Sequence, residues 1–575
     1  MSHTTFPALA TARRLPNVWD VVSILCVFAF IAAIAHVTPQ TLKPLTGPEA
    51  MVVDLAPSHL PAYALRTTLR MFAALAASLL FTFTYATWAA KSRRARLVLV
   101  PLLDILQSVP ILGFLTFTTV FFMSLFPGRV AGLELAAVFA IFTSQAWNMA
   151  FSLYQSLTTI PADLDEATRS FRLTGWQRFW RLEVPFAMPG LVWNMMLSMS
   201  GGWFFVVASE AITLGDNNWK LPGIGSYVSV ALDQRDIGAV FWAILAMLVV
   251  ILLYDQLLFR PLVAWSAKFR VELTASAVAE DPWVLKVLRR THVLRVAGGA
   301  IGDFIGGIGS MRLALPRWRA PAAPRPPSRI ADGLYLVIVA IVVAAAVWKI
   351  VTYVAGNNVG LADVEVAFGY GCITFLRVVV LIALASLIWV PIGVWLGLRP
   401  AWAQGVQVLA QFLAAFPANL LFPIFVVVIV RYHLTPDIWL TPLMILGTQW
   451  YILFNVIAGA SAFPGDLQEA AKNFRVGGLL WWRKVILPGI FPYFVTGAIT
   501  ASGGSWNAAI VAEVASWGND KLVAHGLGAY IAAATDKGDM PRVVLGVVVM
   551  SMFVLIFNRA FWRPLFAYAT RRLTL

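Results

Sequence analysis

Cysteine is nearly missing from this 575-residue chain. Cys26 and Cys372 each lie in or beside an apolar segment, which excludes a disulfide framework and a thiolate metal site. Charge is also scarce: 12% of residues are charged against about 25% in a soluble domain, while 60% are apolar and mean hydropathy is +0.78. A water-soluble enzyme is thereby excluded, and the composition is that of a polytopic membrane protein. The six histidines are scattered and gather no metal-ligand cluster. No Gly-x-x-x-x-Gly-Lys-Ser/Thr sequence occurs, so the chain has no phosphate loop of its own for ATP. The net charge of +15 falls largely in loops and a linker between apolar stretches, and reads as membrane topology rather than nucleic-acid binding.

What is present is a series of apolar runs. A membrane-crossing helix needs roughly 20 mainly apolar residues, and the hydropathy pattern predicts twelve spans. Six fall near 18–37, 64–90, 97–126, 132–157, 186–212 and 238–259. Six more fall near 331–354, 373–398, 405–430, 436–460, 489–515 and 541–562. The first is kept as a span because no small-residue cleavage site precedes the polar stretch from Thr38. Arg13, Arg14, Lys91, Arg93, Arg94, Arg96, Arg571 and Arg572 share one side if the helices alternate, which assigns that side and both termini to the cytoplasm. A loop from Gly356 to Gly371 carries Asp363 and Glu365 without Lys or Arg, as an outer loop does. The expected domains are 1–262, a basic linker 263–330, and 331–575. Twelve Lys or Arg against four acids occur from Arg260 to Arg329. Within the linker, Trp283 to Val296 reads equally as a helix lying on anionic lipid or as a solvated tether. The glycines from Gly298 to Gly309 read as a flexible connector.

The two halves repeat. They align at an offset of 303 from Trp147/Trp450 to Leu262/Leu565, and ten of the thirty positions from 161 to 190 are identical. Upstream the offset is 307, pairing Thr67, Arg70 and Pro110 with Thr374, Arg377 and Pro417. Six being even, the fused halves have the same orientation, with an expected symmetry axis along the membrane normal.

The densest repeat is a polar loop between the fourth and fifth spans of each half, read as a short helix-turn-helix. Asp163 and Asp466 are expected to cap its first helix, with Glu166 and Glu469 as reciprocal acids. Ala167, Ala470 and Ala471 leave a close-packing face, and Gly175 and Gly478 permit the turn. Glu469-Ala470-Ala471 followed by Ile486-Leu487-Pro488, with the looser Glu166-Ala167-Thr168 and Val184-Pro185, resembles the EAA loop of binding-protein-dependent ABC importer permeases. Phe416-Pro417-Ala418, Ala512-Glu513 and Gly526-Leu527-Gly528 are similar to the nitrate/sulfonate/taurine branch. The resemblance implies an all-α fold of tandem six-helix type I permease domains in a bacterial inner membrane. It further implies coupling helices for two copies of a cytoplasmic ATPase holding ATP and Mg, a periplasmic or tethered solute-binding protein, and a non-enzymatic role for this chain. Arg172 and Arg475 stand where that family has glycine, and either contact the ATPase or change the turn.

Glu210 and Glu513 occupy equivalent places near the outer end of the fifth span of each half, where gating or pairing with Arg70 or Arg377 is expected. Trp203, Ser505, Trp506 and Asn507 lie nearer mid-membrane on the same helices and join the two glutamates as translocation-path candidates. The cargo implied by the resemblance is a small anion. The competing readings are an importer of another solute class, a membrane-embedded enzyme on lipid or sugar donors, and a membrane scaffold for a signalling partner.

Overall fold

The computed structural model describes residues 53–214, 217–269, 282–311, 329–357 and 359–572, apart from 462, 464, 518 and 519, and only isolated residues of 20–52. The expected first span at 18–37 therefore lies largely outside the described residues.

Among the described residues, eight helices are long and apolar enough to cross a membrane, or up to ten if each of two bent pairs is one span. Leu60–Lys91 is the first. Pro61 sits in its opening turn, where a missing N–H breaks no helical bond. Its 32 residues reach about 48 Å at ~1.5 Å each, more than a ~30 Å hydrocarbon core requires. Ser92 ends it in an extended conformation, and its hydroxyl accepts from the Ala95 N–H to cap the next helix.

The expected continuous span 97–126 is corrected. Arg93–Ser108 and Ile111–Leu125 meet at 102°. Pro110 supplies the reason: it offers no N–H, and it pushes Val109 to φ −77°, ψ 126°. The repeat does the same at Pro417, which separates Pro400–Ala415 from the helical stretch Ala418–Arg431, so the expected span 405–430 is also broken. The expected span 436–460 bends by 44° between Pro436–Leu446 and Trp450–Ser461. The eighth expected span begins at Leu361, not 373, so Asp363 and Glu365 belong to a helix and not to an outer loop. There the Asp363 carboxylate accepts from the Gly360 N–H at 3.0 Å and from Arg542 at 3.1 Å, which starts the helix early.

Close helix packing uses small residues, as lipid tails supply no hydrophobic drive between helices. Gly393 and Gly397, one turn apart on Leu361–Gly397, face Trp450–Ser461. A Cβ on Gly397 would fall 2.7 Å from the Ile457 carbonyl oxygen. By contrast Arg329–Gly356 exposes nearly all its apolar side chains, with Leu334, Ile341 and Val342 each more than 60% exposed, as a lipid-facing helix does.

Among the described residues, four π-helical turns fall in two repeat-related pairs: Phe179–Glu183 with Trp482–Ile486, and Asp255–Phe259 with Asn558–Trp562. Each half also carries one β-hairpin, Ala211–Leu214 with Asn217–Lys220 and Val514–Trp517 with Asp520–Val523. Two compact units result: residues 1–39, 160–189 and 255–322 form the smaller, and 40–159, 190–254 and 323–575 the larger.

Candidate functional site

In the smaller unit the repeated loop folds as a helix, Ala162–Ser170, and a return segment beginning Gly175–Arg178. The expected cap is corrected. Pro161 takes the N-cap position without a side-chain bond, and Asp163 lies inside the first turn with Asp165. A proline with extended ψ starts a helix by itself, so Asp163 is left to complement the helix dipole. Glu166 and Ala167 are exposed. The capping box occurs one element later, where Gln177 N–H donates to the Thr174 hydroxyl and Thr174 N–H to the Gln177 amide oxygen. In the larger unit the second copy, Gly465–Asn473, likewise has Asp466 as its second residue. Glu469 is exposed, Ala470 half-buried and Ala471 buried.

Both helices end in the same Schellman turn. Leu173 N–H donates to Thr168 O and Arg172 N–H to Arg169 O; Val476 N–H donates to Ala471 O and Arg475 N–H to Lys472 O. Arg172 and Arg475 hold the left-handed position, at φ +49° and +52°. The turn is therefore closed in the geometry that favours glycine, with arginine in it. Gly175 is not at a left-handed φ, whereas Gly478 is, at +58°.

The two copies differ around this common frame. In the first, Asp165 pairs with Arg178 at 2.6 Å and Arg169 at 2.8 Å, and Arg178 also reaches Glu183 at 3.1 Å. The repeat partners Gln468, Trp481 and Ile486 offer no such pairs. The first return segment also touches the linker: Gln177 Nε2 donates to the Ser310 carbonyl at 3.0 Å, and a Cβ on Gly309 would meet Trp180 Cβ at 3.0 Å. In the second copy Leu479 is 83% exposed. One feature of the loop was not singled out from the sequence: Phe171 and Phe474, identical in the repeat, are 78% and 82% exposed. An apolar residue kept in both copies of a polar loop was the available signal.

In the larger unit, an ionic network closes each fifth span, buried in the first half and partly exposed in the second. Arg70 donates to Glu210 at 2.7 Å, to both oxygens of Glu134 at 2.6 and 2.7 Å, and to the Pro222 carbonyl at 3.1 Å. Thr67 donates to Glu210 and accepts from Ile224 N–H, while Gly225 N–H donates to the second Glu210 oxygen at 2.6 Å. The second half reproduces this with Arg377, Glu513, Asp437, Thr374 and the amides of Leu527 and Ala529. His525 replaces Pro222, and its ring adds a contact to Asp437 at 3.0 Å. A Cβ on Gly223 or Gly526 would lie 2.3 Å from the glutamate carboxyl, and one on Gly225 or Gly528 would strike the preceding helix backbone at 2.2 or 2.4 Å. Those glycines are required by close approach. The expected Arg70–Glu210 and Arg377–Glu513 pairings are present, whereas Glu134 and Asp437, themselves 303 apart, went unremarked.

The path candidates separate by burial. Glu210, Glu513, Trp203, Trp506 and Ser505 have at most 2% exposure in this conformation. Trp203 packs edge-on to Tyr254, and Trp506 lies among Phe375 and Phe553. Their indole N–H groups have no acceptor among the described residues. Ser505 meets Thr448 at 3.1 Å. Gln145 and Gln449 bond to neighbouring helices, through Met199 and Trp389. Asn507 is half-buried, and its carbonyl accepts from the Ile111 N–H at 2.6 Å. Ile111 opens the helix after the Pro110 break in the first half, so this bond joins the halves. Gly201 approaches the Tyr451 hydroxyl across the same junction, and Asn419 faces the Phe204 carbonyl at 3.5 Å.

These duplicated features agree with the comparisons. A family profile described as "binding-protein-dependent transport system inner membrane component" matches residues 82–259 and 389–561. The chain is similar to the nitrate import permease protein NrtB of Leptolyngbya laminosa, 30% identical over 19% of this chain and 37% of the relative. It is also similar to the bicarbonate transport system permease protein CmpB of Synechococcus elongatus, 27% identical over 31% of this chain and 60% of the relative. The glycine betaine/carnitine transport permease protein GbuB of Listeria monocytogenes is 29% identical over 30% of this chain and 55% of the relative. Each match spans less than two thirds of the relative. No solved structure matches. With two profile matches covering more than half of its length, the chain belongs to the binding-protein-dependent transport system inner membrane component family, and carries that domain twice.

Proposed function

We propose that this chain is the complete membrane pathway of an ATP-driven importer in a bacterial cytoplasmic membrane, with both termini inside. The observation that carries this reading is the duplicated loop, whose two Schellman turns present Glu166 with Phe171 and Glu469 with Phe474 on exposed surfaces. Each copy docks one cytoplasmic ATPase subunit, which holds ATP and Mg. ATP binding draws the loops together and switches the helices between inward and outward openings, a transition between two packings. A periplasmic or tethered binding protein delivers the solute.

The cargo in this reading is a small anion of the nitrate, sulfonate, taurine or bicarbonate kind. The relatives named for nitrate and bicarbonate support it. The unpaired indole donors of Trp203 and Trp506 are chemically suited to an anion. A relative named for betaine supports a second reading, a zwitterionic cargo.

The decisive experiment reconstitutes the chain with its ATPase and candidate binding proteins and measures stimulated ATP hydrolysis and uptake. Two ATPase subunits per chain are expected by mass. Glu469→Lys is expected to abolish uptake while the protein still inserts, and full uptake by a Glu166→Lys/Glu469→Lys chain removes the coupling reading. Stimulation by a nitrate-loaded but not a betaine-loaded binding protein supports the anion.

A further inference from the structure

The linker helix Trp283–Arg290 reads from its sequence either as a helix on anionic lipid or as a solvated tether, and its attachments within the smaller unit separate the two. At one end the Trp283 indole N–H donates to the Gln256 side-chain oxygen at 3.2 Å. Gln256 follows, by two residues, the run Ile237–Tyr254, which is 18 residues long and carries no charge. Such a run extends about 27 Å at ~1.5 Å per residue, close to the ~30 Å of a hydrocarbon core, so Gln256 stands where hydrocarbon gives way to headgroups. The bond holds Trp283 at that depth, where indole rings gather in membrane proteins. Further along, Thr291 is fully buried. The next helix, His292–Ser310, ends on the return segment of the first repeated loop, through the Gln177–Ser310 bond at 3.0 Å and the approach of Gly309 to Trp180. A solvated tether is free between its ends, whereas this segment is fixed at Trp283, Thr291 and Ser310.

Packing decides which side of this helix is free. Val284 is buried and Leu285 half-buried, so the helix rests on the protein through apolar residues. Trp283, Lys286 and Arg290, spaced i, i+3 and i+7, share another face, and all three are exposed. Neither Lys286 nor Arg290 has a carboxylate partner among the described residues. Acids are also few along the linker, where twelve Lys or Arg stand against four acids from Arg260 to Arg329. An indole that favours the headgroup zone and two cations without a counter-charge, on one face at the membrane boundary, match an anionic lipid surface.

We propose that the free face of Trp283–Arg290 lies on anionic lipid headgroups, with the Trp283 ring among them and the Lys286 ammonium and Arg290 guanidinium on lipid phosphates. The linker is thereby a strap along the membrane boundary, running from the turn after Ile237–Tyr254 to the return segment of the first repeated loop. Surface potential, rather than a cavity fitted to one lipid, supplies the attraction, so any anionic lipid serves and salt weakens the contact.

The test reconstitutes the full chain in nanodiscs of phosphatidylcholine, alone or mixed with phosphatidylglycerol, and follows hydrogen exchange of the amides of residues 286–290 by mass spectrometry. Exchange is expected to slow with phosphatidylglycerol, by roughly fivefold for each of the two basic side chains and so by up to about thirtyfold, while the helix Val130–Thr158 is unchanged. Lys286→Gln/Arg290→Gln alters two exposed side chains and is expected to exchange at one rate in both lipids. Salt at about 0.5 M should equalise the two lipids for the parent chain, and carries the test if the variant does not fold. Equal exchange of the parent chain in the two lipids at low salt overturns the proposal, as does a lipid effect that persists in the folded double variant. Equal slowing by millimolar inorganic phosphate in phosphatidylcholine nanodiscs also overturns it, because the face would then bind a free anion and not the membrane.

Discussion

Arg172 and Arg475 occupy left-handed backbone positions that cost an ordinary residue about 1 kcal/mol or more relative to glycine. Another turn of the repeat shows the usual solution: Arg235 is left-handed at φ +57°, and its partner Gly538 at φ +66° is a glycine. On the coupling role proposed above, strain kept twice in the repeated loop is offset by a contact of the guanidinium groups with the ATPase. Arg475→Gly is therefore expected to slow hydrogen exchange of the Val476 amide about twofold to fivefold, as the turn relaxes, and yet to weaken ATPase binding about tenfold. Unchanged ATPase affinity would return the arginine to a purely local role. The buried network of the first half leads to a different expectation. Glu210→Ala leaves Arg70 short of one of its two carboxylates, and loss of one partner of a buried pair typically costs about 3–5 kcal/mol. Size-exclusion profiles should show a sharply reduced folded fraction, against no change for the exposed Glu166→Ala. The Arg70–Glu210 pairing was legible because an intramembrane charge needs a counter-charge and the repeat offered one. Glu134 was not, since a lone acid near the start of an apolar run resembles a helix end until Asp437 is aligned with it.

Where the helices break decides what the spans can do. Hydropathy reported the apolar stretches 97–126 and 405–430 correctly as apolar, but hydropathy is blind to direction, and Pro110 and Pro417 turn the chain inside them. The proline pair was visible in the repeat; the 102° bend was not, because it depends on what receives the freed N–H groups. At Ile111 the receiver is Asn507 from the other half. Replacing Asn507 by Leu strands that donor, at an expected cost of about 1–3 kcal/mol, whereas Asn507→Asp keeps an acceptor in place. Thermal unfolding of the two variants in the same detergent should separate them in that order, and equal loss in both would show that the bond is incidental. The capping error has a similar origin. Asp-x-x-Glu is a fair start signal in isolation, but Pro161, two residues earlier, already supplied the start.

The whole chain is a duplication whose halves have diverged where they meet other things. Although the π-helical turns carry no sequence signal of their own, the repeated loops and the Arg70–Glu210 and Arg377–Glu513 pairings were readable from the offsets of 303 and 307. The differences were not, because they depend on neighbours far away in sequence: the linker's Ser310 against Gln177 in one loop, and exposed Leu479 in the other. Limited proteolysis should cleave the 282–311 segment faster in Gln177→Ala than in the parent chain; equal rates would mean that the bond to Ser310 does not hold the linker. The Asn507 contact carries a broader consequence. In an assembly of two identical permease chains, every substitution is made twice, and a residue good on one side must be tolerable on the other. Here the position equivalent to Asn507 is Phe204, whose backbone, not its side chain, faces Asn419. Fusion has released each side from that double duty, so evolution is free to shape the wall of the passage one face at a time, and a solute with unlike ends can be met by unlike surfaces.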